Sequence, residues 1–355
     1  MKRWQKLMIT SGLCVGLLGM PAVVAPSATA VQALSPFEAL ASGAVAMVYV
    51  SKQLNKMDSS TEGQNQSLES TKAKTGYYDN VAYQERAQRI LASLEQSKLV
   101  KRKPYRVYVN PDTDFNAFMT IGRVMSVNKG TMDALDDDSL AYVMSHELGH
   151  GEHKDVIDGL KKSVGVSTAI SVATAGAGDA SVLLGNIVGN YLDNQVFTMS
   201  QEKNADEFGF KLFTDAGYNP GAAAVAMAVI KQKYGDLYND GFTQVVAPNN
   251  HPKTSNRITD NLTRLYEYSG KVVSVDGATV YIKKKPVYTG TAAGMYTAEM
   301  RAYLVAGKLA KLYHDKANGQ ARAVSNTVVM NGVTLVTLPT NADSLRMAEA
   351  INSIS

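Results

Sequence analysis

Two histidines four positions apart, His146 and His150, with Glu147 between them, constrain this chain more than any other stretch of it. They lie in a run where Leu140, Val143, Met144 and Leu148 recur at helical spacing. Asp136, Asp137 and Asp138 precede it, supplying N-cap candidates and negative charge where a helix N-terminus favours both. The expectation is a helix over 139–154. On such a helix the two imidazoles sit about 40° apart on one face. They can therefore share one metal ion, with Glu147 beside them to take a proton from water. The plain alternative is a buried polar helix.

A catalytic metal site of this kind usually has three protein ligands and one open position. His153 does not complete it: it shares nearly the same face, but about 10 Å along the axis separates it from His146. Pairing with a carboxylate such as Asp155, or packing against a neighbour, is the expectation for His153. Glu202 is the better third ligand, because Glu202 and Asp206 stand four apart on one face of a later helix. One carboxylate can bind the metal while the other holds the outer nitrogen of a ligand histidine.

The first thirty residues differ from the rest. Lys2, Arg3 and Lys6 precede an apolar run from Leu7 to Val24, and Ala28-Thr29-Ala30 offers small residues for cleavage, the layout of a secretory signal peptide. Pro21 and Pro26 interrupt the run and make it a poor retained anchor. Without this leader Lys+Arg falls from 36 to 33 against 32 acids, so the basic balance is mostly the leader's and nothing points to nucleic acid. The single cysteine, Cys14, lies in the leader, and Leu13 before it argues against a lipid attachment site. The mature chain then carries no thiol and tolerates an oxidising compartment.

Along the remainder, Pro36 to about Leu54 and Tyr77 to Leu99 have helical patterns, separated by a polar, turn-rich stretch, Asp58 to Ser67, expected to be a loop or hinge. Tyr105 to Val109 alternates as a strand. Asn116 to Ile121 and Val124 to Val127 flank Gly122-Arg123 as a hairpin, whose edge at Asn116, Ala117 and Phe118 can pair with an extended peptide. Val164–Ala175 and Ser181–Leu192 are apolar but too short to cross a bilayer, and two close-packed helices are expected there. Helices should follow to Gly217, over Gly221–Tyr234 and over Ser255–Tyr268. Beyond Gly270 the order hairpin then helix occurs twice, with Asp276-Gly277 and Asn331-Gly332 as turns, which suggests a duplicated accessory domain.

His146-Glu147-Leu148-Gly149-His150, then Glu202-Lys203-Asn204-Ala205-Asp206, then His251-Pro252 with Arg257 and Ile258, together resemble the HtpX and CAAX prenyl endopeptidase family of zinc metallopeptidases. The Asn116-Ala117-Phe118 hairpin matches that family's pattern ahead of the metal helix. The resemblance spans roughly 77–268. It implies a gluzincin with one Zn2+ per chain on His146, His150 and Glu202, and Glu147 as base. The leader and the absence of long membrane spans make the chain similar to the secreted, periplasmic branch. The fold class expected is α+β: a mainly helical zincin-like metallopeptidase domain over 31–270, with a small sheet edge, then a small α+β domain over 271–355.

On that footing His251 either donates to the oxyanion, with Arg257 orienting or reinforcing it, or occupies the open metal position and restrains the enzyme. A capping surface histidine is the plain alternative. The expected function is hydrolysis of peptide bonds in unfolded or misassembled cell-envelope proteins. Its partner is an extended polypeptide, with peripheral contact to the membrane or an envelope complex. The rival is an envelope chaperone or assembly factor that grips extended chains and cleaves incidentally. Glu147 speaks against it, since a binder needs no proton acceptor beside a metal.

Overall fold

The computed structural model describes residues 36–175, 185–190, 197–235 and 253–354. The leader over 1–30, Cys14, His251-Pro252 and half of the 181–192 segment lie outside the described residues. Helix α1 (Pro36–Ser59) buries Ala46, Val50 and Leu54, one residue per turn. The polar stretch after it is no loop: α2 (Thr61–Thr75) starts there, capped by the Ser60 hydroxyl, which accepts from the Gly63 N–H. The buried face of α2 is polar, formed by Gln64, Ser67 and Thr71. Gln64 donates to the Pro104 carbonyl at 2.8 Å and Ser67 to that of Ile121, so this helix docks by hydrogen bonds.

Asn80 caps α3 (Val81–Leu94), which lays Ala87, Ile90, Leu91 and Leu94 on a three-stranded sheet. In that sheet β3 (Val124–Asn128) lies between β1 (Arg106–Asn110), to which it is parallel, and β2 (Ala117–Thr120), to which it is antiparallel. All five β3 residues are buried, as its central place requires. The expected hairpin is therefore present, and β2 is an edge strand.

A short helix α4 (Lys129–Ala134) leads to α5 (Asp137–His153), capped by Asp136, which accepts from the Ser139 N–H at 2.8 Å. Lys154, left-handed at φ 62°, ends α5 and turns the chain into α6 (Asp155–Ser163). Next comes α7 (Val166–Thr174), and residues 185–190 are helical. Among the described residues no helix is long and apolar enough to cross a membrane. Thr198 and Gln201 form a capping box at the start of α8 (Met199–Asp215). α5 and α8 pack closely at two glycines: a Cβ on Gly209 would stand 2.9 Å from the His146 nitrogen, and one on Gly149 3.0 Å from the Ala205 Cα. Alanine-rich α9 (Ala222–Tyr234) fills the space between α5 and α10 (Thr254–Tyr268).

The C-terminal part is a duplication, but of three-stranded meanders rather than the expected hairpins. Strands β4 (Val273–Asp276), β5 (Thr279–Ile282) and β6 (Lys285–Thr289) precede α11 (Ala298–His314). Strands β7 (Ala321–Val324), β8 (Thr327–Met330) and β9 (Val333–Thr337) precede α12 (Asn341–Asn352). What reads as one run, Ala321 to Met330, is broken by Ser325, left-handed at φ 55°. The first unit's third strand is masked in sequence by the lysines and proline that begin it. Every strand boundary recurs 48 residues later, as do the register shift (Val280/Tyr281, Val328/Val329) and a cross-strand threonine pair at 3.2 Å. The first unit packs on the rest of the chain: Asn219 donates to the Leu304 carbonyl of α11 at 3.1 Å, and the Tyr296 hydroxyl donates to Asp136 at 2.7 Å.

Candidate metal centre

Helical spacing and the close α5–α8 crossing bring three donors to one point. His146 Nε2 stands 3.3 Å from His150 Nε2 and 3.6 Å from a Glu202 oxygen, and His150 Nε2 stands 3.5 Å from the other Glu202 oxygen. Among the described residues His146, His150 and Glu202 form the one group of donors able to hold a metal ion. A tetrahedral ion bonded at about 2.0–2.1 Å needs ligand atoms about 3.3–3.4 Å apart, and the observed spacings fit it.

The far side of each imidazole is held by a carboxylate. His146 Nδ1 lies 2.9 Å from Asp206 Oδ1, and His150 Nδ1 lies 2.8 Å from Asp155 Oδ2, which turns both Nε2 atoms toward the shared point. Asp206 in turn receives Arg257 Nε at 2.9 Å, Arg257 Nη2 at 2.5 Å and the Tyr142 hydroxyl at 3.1 Å. Asp155 receives the neutral Gln201 amide, at 2.9 Å. Phe197 stacks on His150 with ring centroids 3.8 Å apart, and sets that ring's plane.

Burial opposes ionisation of Asp206, but the Arg257 charge and the His146 hydrogen bond outweigh it and hold the carboxyl well below its usual range. Burial would likewise lower the pKa of His150, yet Asp155 and Glu202 push it up to about 10. The cage therefore attracts positive charge, which suits a divalent cation. Burial pushes the Glu147 carboxyl up, against the pull of His146 and His150 and of the Met119 N–H that it accepts at 2.9 Å. Glu147 stands outside the donor triad, next to it. His146 and Glu147 each keep 8% exposure while His150 and Glu202 keep 1% and 2%, so solvent meets the site from the His146–Glu147 side.

Of the two outcomes expected for His153 the structure shows packing against a neighbour: it lies edge-on against Phe208, at 5.4 Å between ring centroids, while Asp155 serves His150. Arg257 approaches His146 from the Nδ1 side, away from the shared donor point, and its guanidinium is engaged by Asp206. Asn116 precedes β2, and Ala117 and Phe118 lie on it, one strand from Glu147 through their neighbour Met119. Met119, Phe197 and Tyr142 carry no local sequence signal. Asp155 had one, because it falls just past the end of the histidine helix.

Residues 82–264 match the model of Peptidase family M48. The chain belongs to this family. The M48 span contains every residue of the cage, from Met119 to Arg257, and ends before the C-terminal duplication. Over 127 residues the chain is 32% identical to metalloprotease LoiP of Escherichia coli (strain K12), covering 34% of this chain and 49% of that protein. Over 202 residues it is 27% identical to a putative beta-barrel assembly-enhancing protease of Vibrio cholerae serotype O1, covering 54% and 39%. Metalloprotease YcaL of Escherichia coli (strain K12) is 29% identical over 116 residues, covering 32% and 45%. The chain thus spans half or less of the length of these curated relatives.

Proposed function

We propose that the chain is a zinc metalloendopeptidase, exported to the periplasm by its leader, that cleaves unfolded or misassembled envelope proteins. The observation that carries it is the pairing of a His146–His150–Glu202 donor triad with a separate buried carboxylate, Glu147. A zinc ion held by the triad supplies Lewis acidity, acidifying water and polarising the scissile carbonyl. Glu147 accepts the proton of the attacking water and returns it to the leaving amine nitrogen. Burial strengthens it as an acceptor, and the Met119 N–H fixes its orientation. Asp206 and Asp155 hold the two histidines in the tautomer that leaves Nε2 as the ligand atom. Arg257 acts through Asp206 rather than on the oxyanion. The edge of β2 at Asn116, Ala117 and Phe118 aligns an extended substrate beside Glu147. The relatives, named as metalloproteases and as a putative beta-barrel assembly-enhancing protease, support peptide hydrolysis and an envelope substrate.

The test is cleavage of an unfolded protein by the zinc-loaded chain and by Glu147→Gln. The variant should keep its zinc and its fold and lose turnover by at least about 10³-fold, since an amide accepts no proton. Turnover near that of the parent would remove Glu147 as the base, and a chain that takes up no zinc would overturn the whole assignment.

A further inference from the structure

The two C-terminal units match in backbone but not in the residues at one turn. Between β5 and β6 Lys283 and Lys284 are left-handed at φ 47° and 67°, and 48 residues later Asn331 and Gly332 hold the same places at φ 46° and 78°. Asn-Gly is the pair that suits such a two-residue turn, because glycine has no Cβ to clash and asparagine tolerates the conformation. Lysine has neither advantage. Single lysines are left-handed at helix ends, Lys154 and Lys316, but among the described residues only here do two side-chain-bearing residues take this conformation in succession. One copy thus keeps the relaxed turn while the other holds two lysines in a strained one, and an outlier of this kind points to a demand other than stability.

Lys285 follows directly, and the Lys283 N–H donates to the Val272 carbonyl at 2.8 Å, which sets Lys271 beside the turn. All four lysines are exposed. None makes an ion pair among the described residues; the Lys283 ammonium touches only the Ile354 carbonyl, at 3.3 Å. The whole chain is close to charge balance, with 36 Lys+Arg against 32 Asp+Glu, so four ammonium groups at one tip, none ion-paired among the described residues, are a local departure.

We propose that this tip, Lys271, Lys283, Lys284 and Lys285, is a docking surface for the anionic phospholipid headgroups of a bilayer. The side-chain chemistry selects that partner. The cluster is all lysine, with none of the planar arginine forks that read individual phosphates or carboxylates in pairs. None of the four residues is an aromatic of the kind that stacks the bases of a single-stranded nucleic acid. Flexible point charges on a protruding turn fit a diffuse anionic surface, where each lysine adds about fivefold to the partition. The role is separate from peptide hydrolysis and does not rest on it.

The duplicate supplies the variant that tests this, since Lys283→Asn with Lys284→Gly installs the second unit's own turn. The full chain should bind vesicles of phosphatidylcholine mixed with phosphatidylglycerol more tightly than vesicles of phosphatidylcholine alone, and added salt should erase the difference. The double variant should lose about thirtyfold in binding to the anionic vesicles while its denaturation midpoint holds or rises. Lys271→Gln with Lys285→Gln, which leaves the turn backbone alone, should show a loss of similar size. Equal binding by parent and variants, or no preference of the parent for anionic vesicles, overturns the proposal. So does tighter retention by a single-stranded oligonucleotide or an acidic protein at the same salt.

Discussion

The α5–α8 cage and the C-terminal duplication solve opposite problems. In the cage, polar and charged groups from β2, α5, α6, α8 and α10 are buried and locked to one another across long sequence separations: Arg257 to Asp206 spans 51 residues and Met119 to Glu147 spans 28. In the duplication, strands pair with their immediate neighbours and charges stay at the surface. A buried charge is costly unless every partner is present, so the cage should fail as a unit, whereas a locally built repeat should absorb change piecemeal.

The largest effect follows from taking away one donor of the triad. Glu202→Ala leaves two imidazoles, which do not complete a three-ligand site, and stoichiometric zinc binding should vanish. Zinc per chain after exhaustive dialysis measures it. Full occupancy would show that the donor set lies elsewhere and that the cage is not the centre of the molecule.

Next comes Arg257→Ala, which strands the ionised Asp206 in the interior. Breaking a buried pair from one side costs about 3–5 kcal/mol, so the denaturation midpoint should fall steeply and zinc affinity with it. Asp155 offers the contrast. Its hydrogen-bond partners among the described residues are His150 and the neutral Gln201 amide, so Asp155→Asn leaves no buried charge alone and should weaken zinc binding ten- to a hundredfold with little loss of stability. Asp206→Asn should lower both, because Arg257 then has no counter-charge. Identical profiles for the two asparagine variants, in parallel zinc titrations and denaturant melts, would erase the distinction between the two arms.

The same contrast governs what could be read from sequence. His146, His150, Glu202 and Asp206 follow from helical periodicity, which converts spacing into position on a face. Phe197, Met119 and Tyr142 did not, because a stacking ring, a strand N–H and a phenol meet the cage only through tertiary packing. Helix α2 was misread for a related reason: the side chains it buries, Gln64, Ser67 and Thr71, have helical spacing but no hydrophobicity to reveal it. In the repeats, the short-range pairings were legible down to the Asn331-Gly332 turn, and the errors lay where lysine and serine occupy left-handed positions that composition assigns to glycine or asparagine.

Ser325→Gly probes the repeat at its smallest scale. Ser325 at φ 55° occupies the place that Gly277 takes at φ 53° in the first unit. Relieving a left-handed side chain contributes about 1 kcal/mol, but glycine also loosens the unfolded chain by about 0.5–1 kcal/mol, so the two nearly cancel and the net gain should stay under about 1 kcal/mol. Chemical denaturation reads that difference, and zinc affinity should not move, because among the described residues the turn shares no hydrogen bond with the cage. The direct hydrogen bond from a repeat to the metal helix is that of Tyr296 to Asp136, at the end of α5 opposite the ligand histidines. A change in zinc affinity on replacing Ser325 would mean that strain in the repeat reaches the cage through that helix, and that the two regions are coupled rather than merely adjacent.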